Sequence, residues 1–194
     1  MVFIHIEREK MSTFEEIGLR PNILKALSEL GFEKPTTVQE QAIPFVIESD
    51  RDLVALAQTG TGKTAAFSLP IIHKLDTQAK NIQALILCPT RELCIQITKD
   101  IDSYIKYEKG MHIVSVYGGA PIDTQIRQLR KGCHIVVGTP GRVRDLINRR
   151  KLDISAINFL VLDEADEMLT MGFKEELDAI LETVPVDKQG LLFS

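Results

Sequence analysis

Ala57-Gln58-Thr59-Gly60-Thr61-Gly62-Lys63-Thr64 follows an apolar run, Leu53 to Ala57, and leads into a stretch of helical periodicity that begins at Lys63. Strand, glycine-rich loop and helix in that order make a phosphate-binding loop. Gly60 and Gly62 carry no side chain, so backbone N–H groups can turn inward onto an anion. The start of the following helix adds unpaired N–H groups and a partial positive charge. Lys63 supplies a full charge for β- and γ-phosphates, and the Thr64 hydroxyl is placed to ligate magnesium. Ala57 stands where the pattern usually has glycine, so the turn must open there with ordinary φ.

The chain outward from this loop reads as α/β. Apolar runs of strand length recur at Leu53–Ala57, Ala84–Cys88, Ile113–Val116, Ile135–Val137, Phe159–Leu162 and Leu191–Phe193. They are nearly continuous rather than alternating, as befits strands buried on both faces. Helical patterns fall between them at Thr64–Leu75, Glu92–Ile105, Thr124–Leu129, Val143–Ile147 and Lys174–Leu181, and two more helices, Pro21–Leu30 and Val38–Ile47, precede the first core strand. This alternation predicts right-handed crossovers, a mostly parallel central sheet and helices on both faces.

Composition narrows the possibilities less. The 194 residues suit one domain, and 44% hydrophobic content is enough for a core. No apolar run approaches the roughly 18 residues of a membrane span, so no membrane partner is expected. Residues 1–11 read as a leader, without fixed structure or accessory, and lack the pattern of a signal peptide. Residues 12–194 read as the domain. Cys88, Cys94 and Cys133 form no C-x-x-C pair and read as reduced, buried thiols of a cytoplasmic protein. The four histidines show no metal-ligand spacing. A net charge of −4 does not point to a polyanion binder. Three basic clusters (Arg127, Arg130, Lys131; Arg142, Arg144; Arg149, Arg150, Lys151) read by charge alone as solvated helix faces.

Ligands of open α/β sheets bind beyond the carboxyl ends of the strands, and the polar segments of this chain sit there. Pro89-Thr90-Arg91-Glu92-Leu93 follows one strand, Gly118-Gly119 the next, Thr139-Pro140-Gly141-Arg142 a third, and Asp163-Glu164-Ala165-Asp166 a fourth. In a phosphate-loop enzyme a carboxylate after a strand holds magnesium, commonly through water. Asp163 takes that position, and Glu164 can orient and deprotonate the attacking water. Lys63, Asp163 and Glu164 are therefore the candidate catalytic set, with Thr64 and Asp163 as metal ligands and magnesium, arriving with the nucleotide, as the cofactor.

With these motifs assembled, the chain resembles the DEAD-box ATP-dependent RNA helicases, specifically the first of their two RecA-like domains, from Phe14 to Ser194. Asp163-Glu164-Ala165-Asp166 spells the family name. Gly31-Phe32-Glu33-Lys34-Pro35-Thr36-Thr37-Val38-Gln39 resembles the family's Q motif, with an isolated aromatic upstream at Phe14. The Gln39 amide can donate and accept, which matches adenine N6 and N7 and favours ATP over GTP. The resemblance implies that Phe32 stacks on adenine with Lys34 beside it. The competing reading makes Phe32 core and Gln39 a helix-surface residue. The ATP-binding set implied is Phe14, Phe32, Lys34, Gln39, Gln58, Thr59, Gly60, Thr61, Gly62, Lys63 and Thr64.

The resemblance also implies that Pro89, Thr90, Arg91, Gly118, Gly119, Thr139, Pro140, Gly141 and Arg142 grip an RNA backbone without sequence preference. Arg91 and Arg142 retain the alternative of pairing with carboxylates of the domain. Cys94 replaces the family's usual alanine. Asp166 is expected to bond the serine-containing motif that would open at Ser194 and to couple hydrolysis to domain closure. The implied partners are ATP, RNA and a second RecA-like domain, which this chain does not contain, and the implied state is a monomer. The chain then reads as a piece of a longer protein. An ATP-gated RNA clamp, with hydrolysis as a release timer, is the alternative to an unwinding enzyme, and a DNA-directed motor is a more distant one.

Overall fold

The computed structural model describes residues 2–4, 13–58 and 60–194. Among these residues seven strands form one sheet in the order β1-β2-β7-β6-β3-β5-β4, and every neighbouring pair is parallel. They are β1 (Val2–Ile4), β2 (Leu53–Ala55), β3 (Ala84–Leu87), β4 (Ile113–Val116), β5 (Ile135–Gly138), β6 (Phe159–Asp163) and β7 (Gln189–Phe193). The six apolar runs read from the sequence are β2 to β7. The edge strand β1 lies within the segment read as a leader, whose remaining residues fall outside the described ones.

Among the described residues eight helices connect the strands: α1 (Pro21–Glu29), α2 (Thr37–Glu48), α3 (Lys63–Lys74), α4 (Arg91–Tyr104), α5 (Ile122–Arg130), α6 (Pro140–Asn148), α7 (Ala165–Thr170) and α8 (Lys174–Leu181). Strand side chains alternate between two hydrophobic clusters. Ile86, Val137, Val161 and Phe193 pack with Ile23, Ile43, Phe67 and Ile97 of α1 to α4. Leu85, Leu87, Val136 and Leu160 pack with Val143, Leu146, Met168 and Ile180 of the later helices on the opposite face. Because both faces are covered, the strands are apolar at most positions, the exceptions being Ser115 in β4 and the end residues Asp163 of β6 and Gln189 of β7, and this produces the nearly continuous runs seen in the sequence. The short α7 was not expected. Its first turn carries Asp166 and Glu167, which suit a helix N-terminus electrostatically but leave no periodic apolar signal.

Register fixes which loops share an edge. Ala55 of β2, Phe193 of β7 and Asp163 of β6 lie level. On the other half of the sheet Leu87, Gly138 and Val116 lie level. The two halves adjoin where β6 pairs with β3.

Candidate nucleotide site and the loops beside it

The phosphate loop turns through two left-handed glycines, Gly60 at φ 81° and Gly62 at φ 89°, and Gly62 caps α3. Ala57 keeps ordinary φ, as the sequence required of a non-glycine there. The Thr61 hydroxyl donates to the Gln58 carbonyl at 2.7 Å, which closes the turn. Thr59 falls outside the described residues.

The segment before α2 braces this loop from behind. The Thr36 hydroxyl donates to the Thr61 carbonyl at 2.9 Å. Gln39, 2% exposed, donates from Nε2 to the Gly62 carbonyl at 3.2 Å, and its Oε1 accepts from the Thr36 N–H at 3.0 Å. Gln39 is therefore not a helix-surface residue. Its amide spans the Q-like segment and the phosphate loop, with one N–H and one lone pair left over.

Phe32 is half-buried, its ring 6.1 Å from Phe14 and 6.0 Å edge-on to Tyr104. Phe14 is 3% exposed within the core, so its contact with Phe32 is its route to the site. Lys34 is exposed.

Lys63 begins α3 and points across β7 toward β6. It is 8% exposed, with Nζ 4.0 Å from Asp163 Oδ1. Asp163 is 3% exposed, and Oδ1 has no hydrogen-bond partner. Burial pushes its carboxyl up to about 6, against the pull of Lys63. Glu164 sits in the left-handed region at φ 53°, ψ 51° and caps α7. Burial and then a hydrogen bond shared with Glu167 raise its carboxyl above the ordinary range, with Lys63 opposing. Asp166 is held low by a hydrogen bond from the Ser194 side chain. Ser194 in turn is stitched to the loop strand: its N–H donates to the Ala55 carbonyl at 3.2 Å, and its carbonyl accepts from Ala57 at 2.9 Å.

Lys63 and Glu164 border two cavities. One, of about 850 Å³, is lined by Thr36, Leu56, Gln58, Thr61, Asp166 and Ser194 among others. The other, of about 350 Å³, takes in Phe32, Gln39, Thr64 and Asp163. No cluster of three or more acidic, histidine or cysteine groups able to hold a metal occurs among the described residues. The orphaned Asp163 oxygen beside the Thr64 cavity nevertheless fits a divalent cation whose remaining ligands come from phosphate and water.

The other polar loops lie on the second half of the same edge. Thr90 caps α4, accepting from the Leu93 N–H at 3.2 Å, and Pro89 is buried. Arg91 is exposed, its guanidinium 5.2 Å over the Tyr117 ring. Gly118 and Gly119 are exposed. Thr139 and Pro140 open α6 with Gly141 exposed at its first turn. Neither Arg91 nor Arg142 pairs with a carboxylate among the described residues: Arg142 donates from Nη1 and Nη2 to the Ala120 carbonyl at 3.2 Å, and from Nη1 to Gln125 Oε1 at 2.8 Å. Three site neighbours were not singled out in the sequence. Thr36 and Gln125 are buried or bonded polar groups on helix starts or faces, and Glu167 looks like an ordinary first-turn acid. Gln125 and Glu167 carry no spacing signal, whereas Thr36 stands three residues before Gln39, the spacing of a helix capping box.

Fold and site together define a RecA-like phosphate-loop domain, with the nucleotide motifs on one half of the sheet edge and the glycine- and arginine-bearing loops on the other. The DEAD/DEAH box helicase family model matches residues 36–194. The chain is 52% identical over 184 residues to the ATP-dependent RNA helicase CshA of Listeria monocytogenes, covering 95% of this chain and 35% of that protein. It is 48% identical over 183 residues to DeaD, an ATP-dependent RNA helicase of Escherichia coli, covering 94% and 29%. A crystal structure of a DEAD box protein from the hyperthermophile Methanococcus jannaschii superposes with TM-score 0.90 at 46% identity, over 96% of this chain and 50% of that one. The chain belongs to the DEAD-box helicase family. It spans about a third of the length of the curated relatives it matches.

Proposed function

We propose that this chain is the ATP-binding domain of an ATP-dependent RNA helicase: it holds ATP with magnesium, grips single-stranded RNA by its backbone, and completes hydrolysis and short-duplex unwinding with a second RecA-like domain. The observation that carries this is the convergence of Lys63, Asp163 and Glu164 on one cavity edge across three level strands. Lys63 and the loop N–H groups bind the β- and γ-phosphates. Thr64 and Asp163 hold the metal. Bound magnesium would neutralise charge developing on the transferred phosphoryl group. Glu164, with its raised carboxyl, takes the proton of the attacking water. Gln39 offers its spare donor and acceptor to adenine, beside Phe32 and Lys34. Asp166 and Ser194 relay the state of the site to the partner domain.

Glu164→Gln in the full-length protein tests this. The expected result is retained binding of a fluorescent ATP analogue with RNA-stimulated turnover reduced at least ~100-fold, the usual scale of a general-base contribution. Undiminished turnover removes Glu164 from the role of base. Strand displacement by the wild-type protein separates an unwinding enzyme from an ATP-gated clamp, which would retain RNA in ATP without displacing a strand.

A further inference from the structure

Gln125 lies on α5, 4% exposed, away from both cavities of the nucleotide site. A buried primary amide must find partners, and this one uses both ends. Nε2 donates to the Tyr117 carbonyl at 3.1 Å. Oε1 accepts from Arg142 Nη1 at 2.8 Å. One side chain thus joins the segment leading into Gly118-Gly119 to the first turn of α6.

The connection extends further at each end. The Tyr117 ring carries the Arg91 guanidinium at 5.2 Å, which brings in the start of α4. Arg142 returns to the glycine loop through the Ala120 carbonyl, at 3.2 Å from both of its terminal nitrogens. Three of the five guanidinium donors are spent inside the domain, leaving Nε–H and one Nη2–H. A guanidinium so committed is better placed to set the shape of the loop than to act as a freely reaching phosphate ligand.

We infer that Gln125 is a positioning residue for RNA: through Tyr117 and Arg142 it locks the three loops after β3, β4 and β5 into one preformed cradle for successive phosphates of a single strand. The inference rests on the RNA reading above and deepens it. A preorganised cradle lowers the ordering entropy lost on binding. Its loss therefore weakens RNA without moving ATP.

The test uses the full-length protein with Gln125→Met, which keeps the side-chain length and packing and removes both hydrogen bonds, and Gln128→Met, one turn on and exposed, as a control. The KM for a single-stranded RNA in stimulating ATP turnover should rise about tenfold in Gln125→Met, the effect of losing roughly 1.4 kcal/mol of hydrogen bonding. The KM for ATP should stay within twofold, and Gln128→Met should match wild type in both. The slope of log affinity against log salt should be unchanged, since Gln125 neutralises no phosphate. Amide exchange at Gly118, Gly119 and Ala120, followed without RNA, should quicken only in Gln125→Met. An unchanged RNA KM and unchanged exchange overturn the inference. A wild-type protein that RNA does not stimulate, but whose 118–120 amides quicken on substitution, overturns the RNA reading and keeps the clamp as a purely structural device.

Discussion

Asp163 bears the clearest sign of a residue placed for ligand rather than for stability. Its buried carboxylate has a bare oxygen and a lysine 4.0 Å away, which is too far for a hydrogen bond. Burial pushes its carboxyl up to about 6 in the fold, against an ordinary 3.8. Because the folded value is the higher, the folded state binds the proton more tightly. That contribution is complete below about pH 4 and is lost as pH rises through 6. Without nucleotide, Asp163→Asn should remove this loss and stabilise the domain by on the order of 2–3 kcal/mol at pH 7 relative to pH 4. Denaturant unfolding at the two pH values measures it. A variant no more stable at pH 7 would show that the buried charge is already compensated. Glu164 departs from relaxed geometry in its own way, with a left-handed backbone that disfavours side-chain-bearing residues by about 1–2 kcal/mol. Neither property is legible from residue type; the sequence shows only two acids after an apolar run.

At the scale of elements, the phosphate loop is held as much from behind as from its own turn. Gly62 is the tightest point: its φ of 89° is left-handed, and a methyl there would overlap Gln39 Nε2. Gly60 has similar φ but open space around it. Gly60→Ala should therefore cost about 1 kcal/mol of backbone strain, whereas Gly62→Ala should cost at least about 2 kcal/mol and also break the Gln39 brace. Chemical denaturation and titration with a fluorescent ATP analogue distinguish them: Gly62→Ala should lose nucleotide binding and Gly60→Ala should weaken it. Equal losses would mean that the brace contributes nothing. The glycine loop, its flanking strand and its helix were legible because each has a local signal, and Gly62–Lys63–Thr64 can be read without the rest of the fold. Gln39 and Phe14 were readable as motif letters but not as contacts. Whether an amide faces adenine or a loop carbonyl, and whether a ring is core or platform, depends on chain 20 or more residues away. Gln125 left no trace at all, because a buried glutamine on a short, charged helix has the same sequence pattern as an exposed one.

Across the whole molecule the strand order divides the work. β2, β7 and β6 carry the candidate nucleotide motifs, β3, β5 and β4 carry the arginine and glycine loops, and β6 against β3 is the seam. The overall α/β alternation was legible because burial on both faces makes each strand continuously apolar. The order of strands was not, since nothing local records that the last strand inserts between the first core strand and the Asp163 strand. The cavity of about 850 Å³ that Asp166 and Ser194 line opens on this half of the edge. If a second domain closes it, these 194 residues alone should show RNA-stimulated ATP turnover at least ~1,000-fold below that of the full-length protein, the lower end of the scale on which a missing arginine group acts in phosphoryl transfer. Equal rates would place the complete catalytic centre within this chain.

Among the described residues, β7 is the only strand that links β2 to β6. Its Phe193 packs edge-on against Phe67 of α3, 5.4 Å between ring centres. Until β7 docks, Lys63 and Asp163 belong to separate fragments of sheet, joined by no strand pairing. Pairing β2 with β7 closes a loop of well over 100 residues, the kind of distant contact that slows folding. The candidate magnesium site thus forms only once β7 has docked between β2 and β6, and nucleotide binding reports that docking.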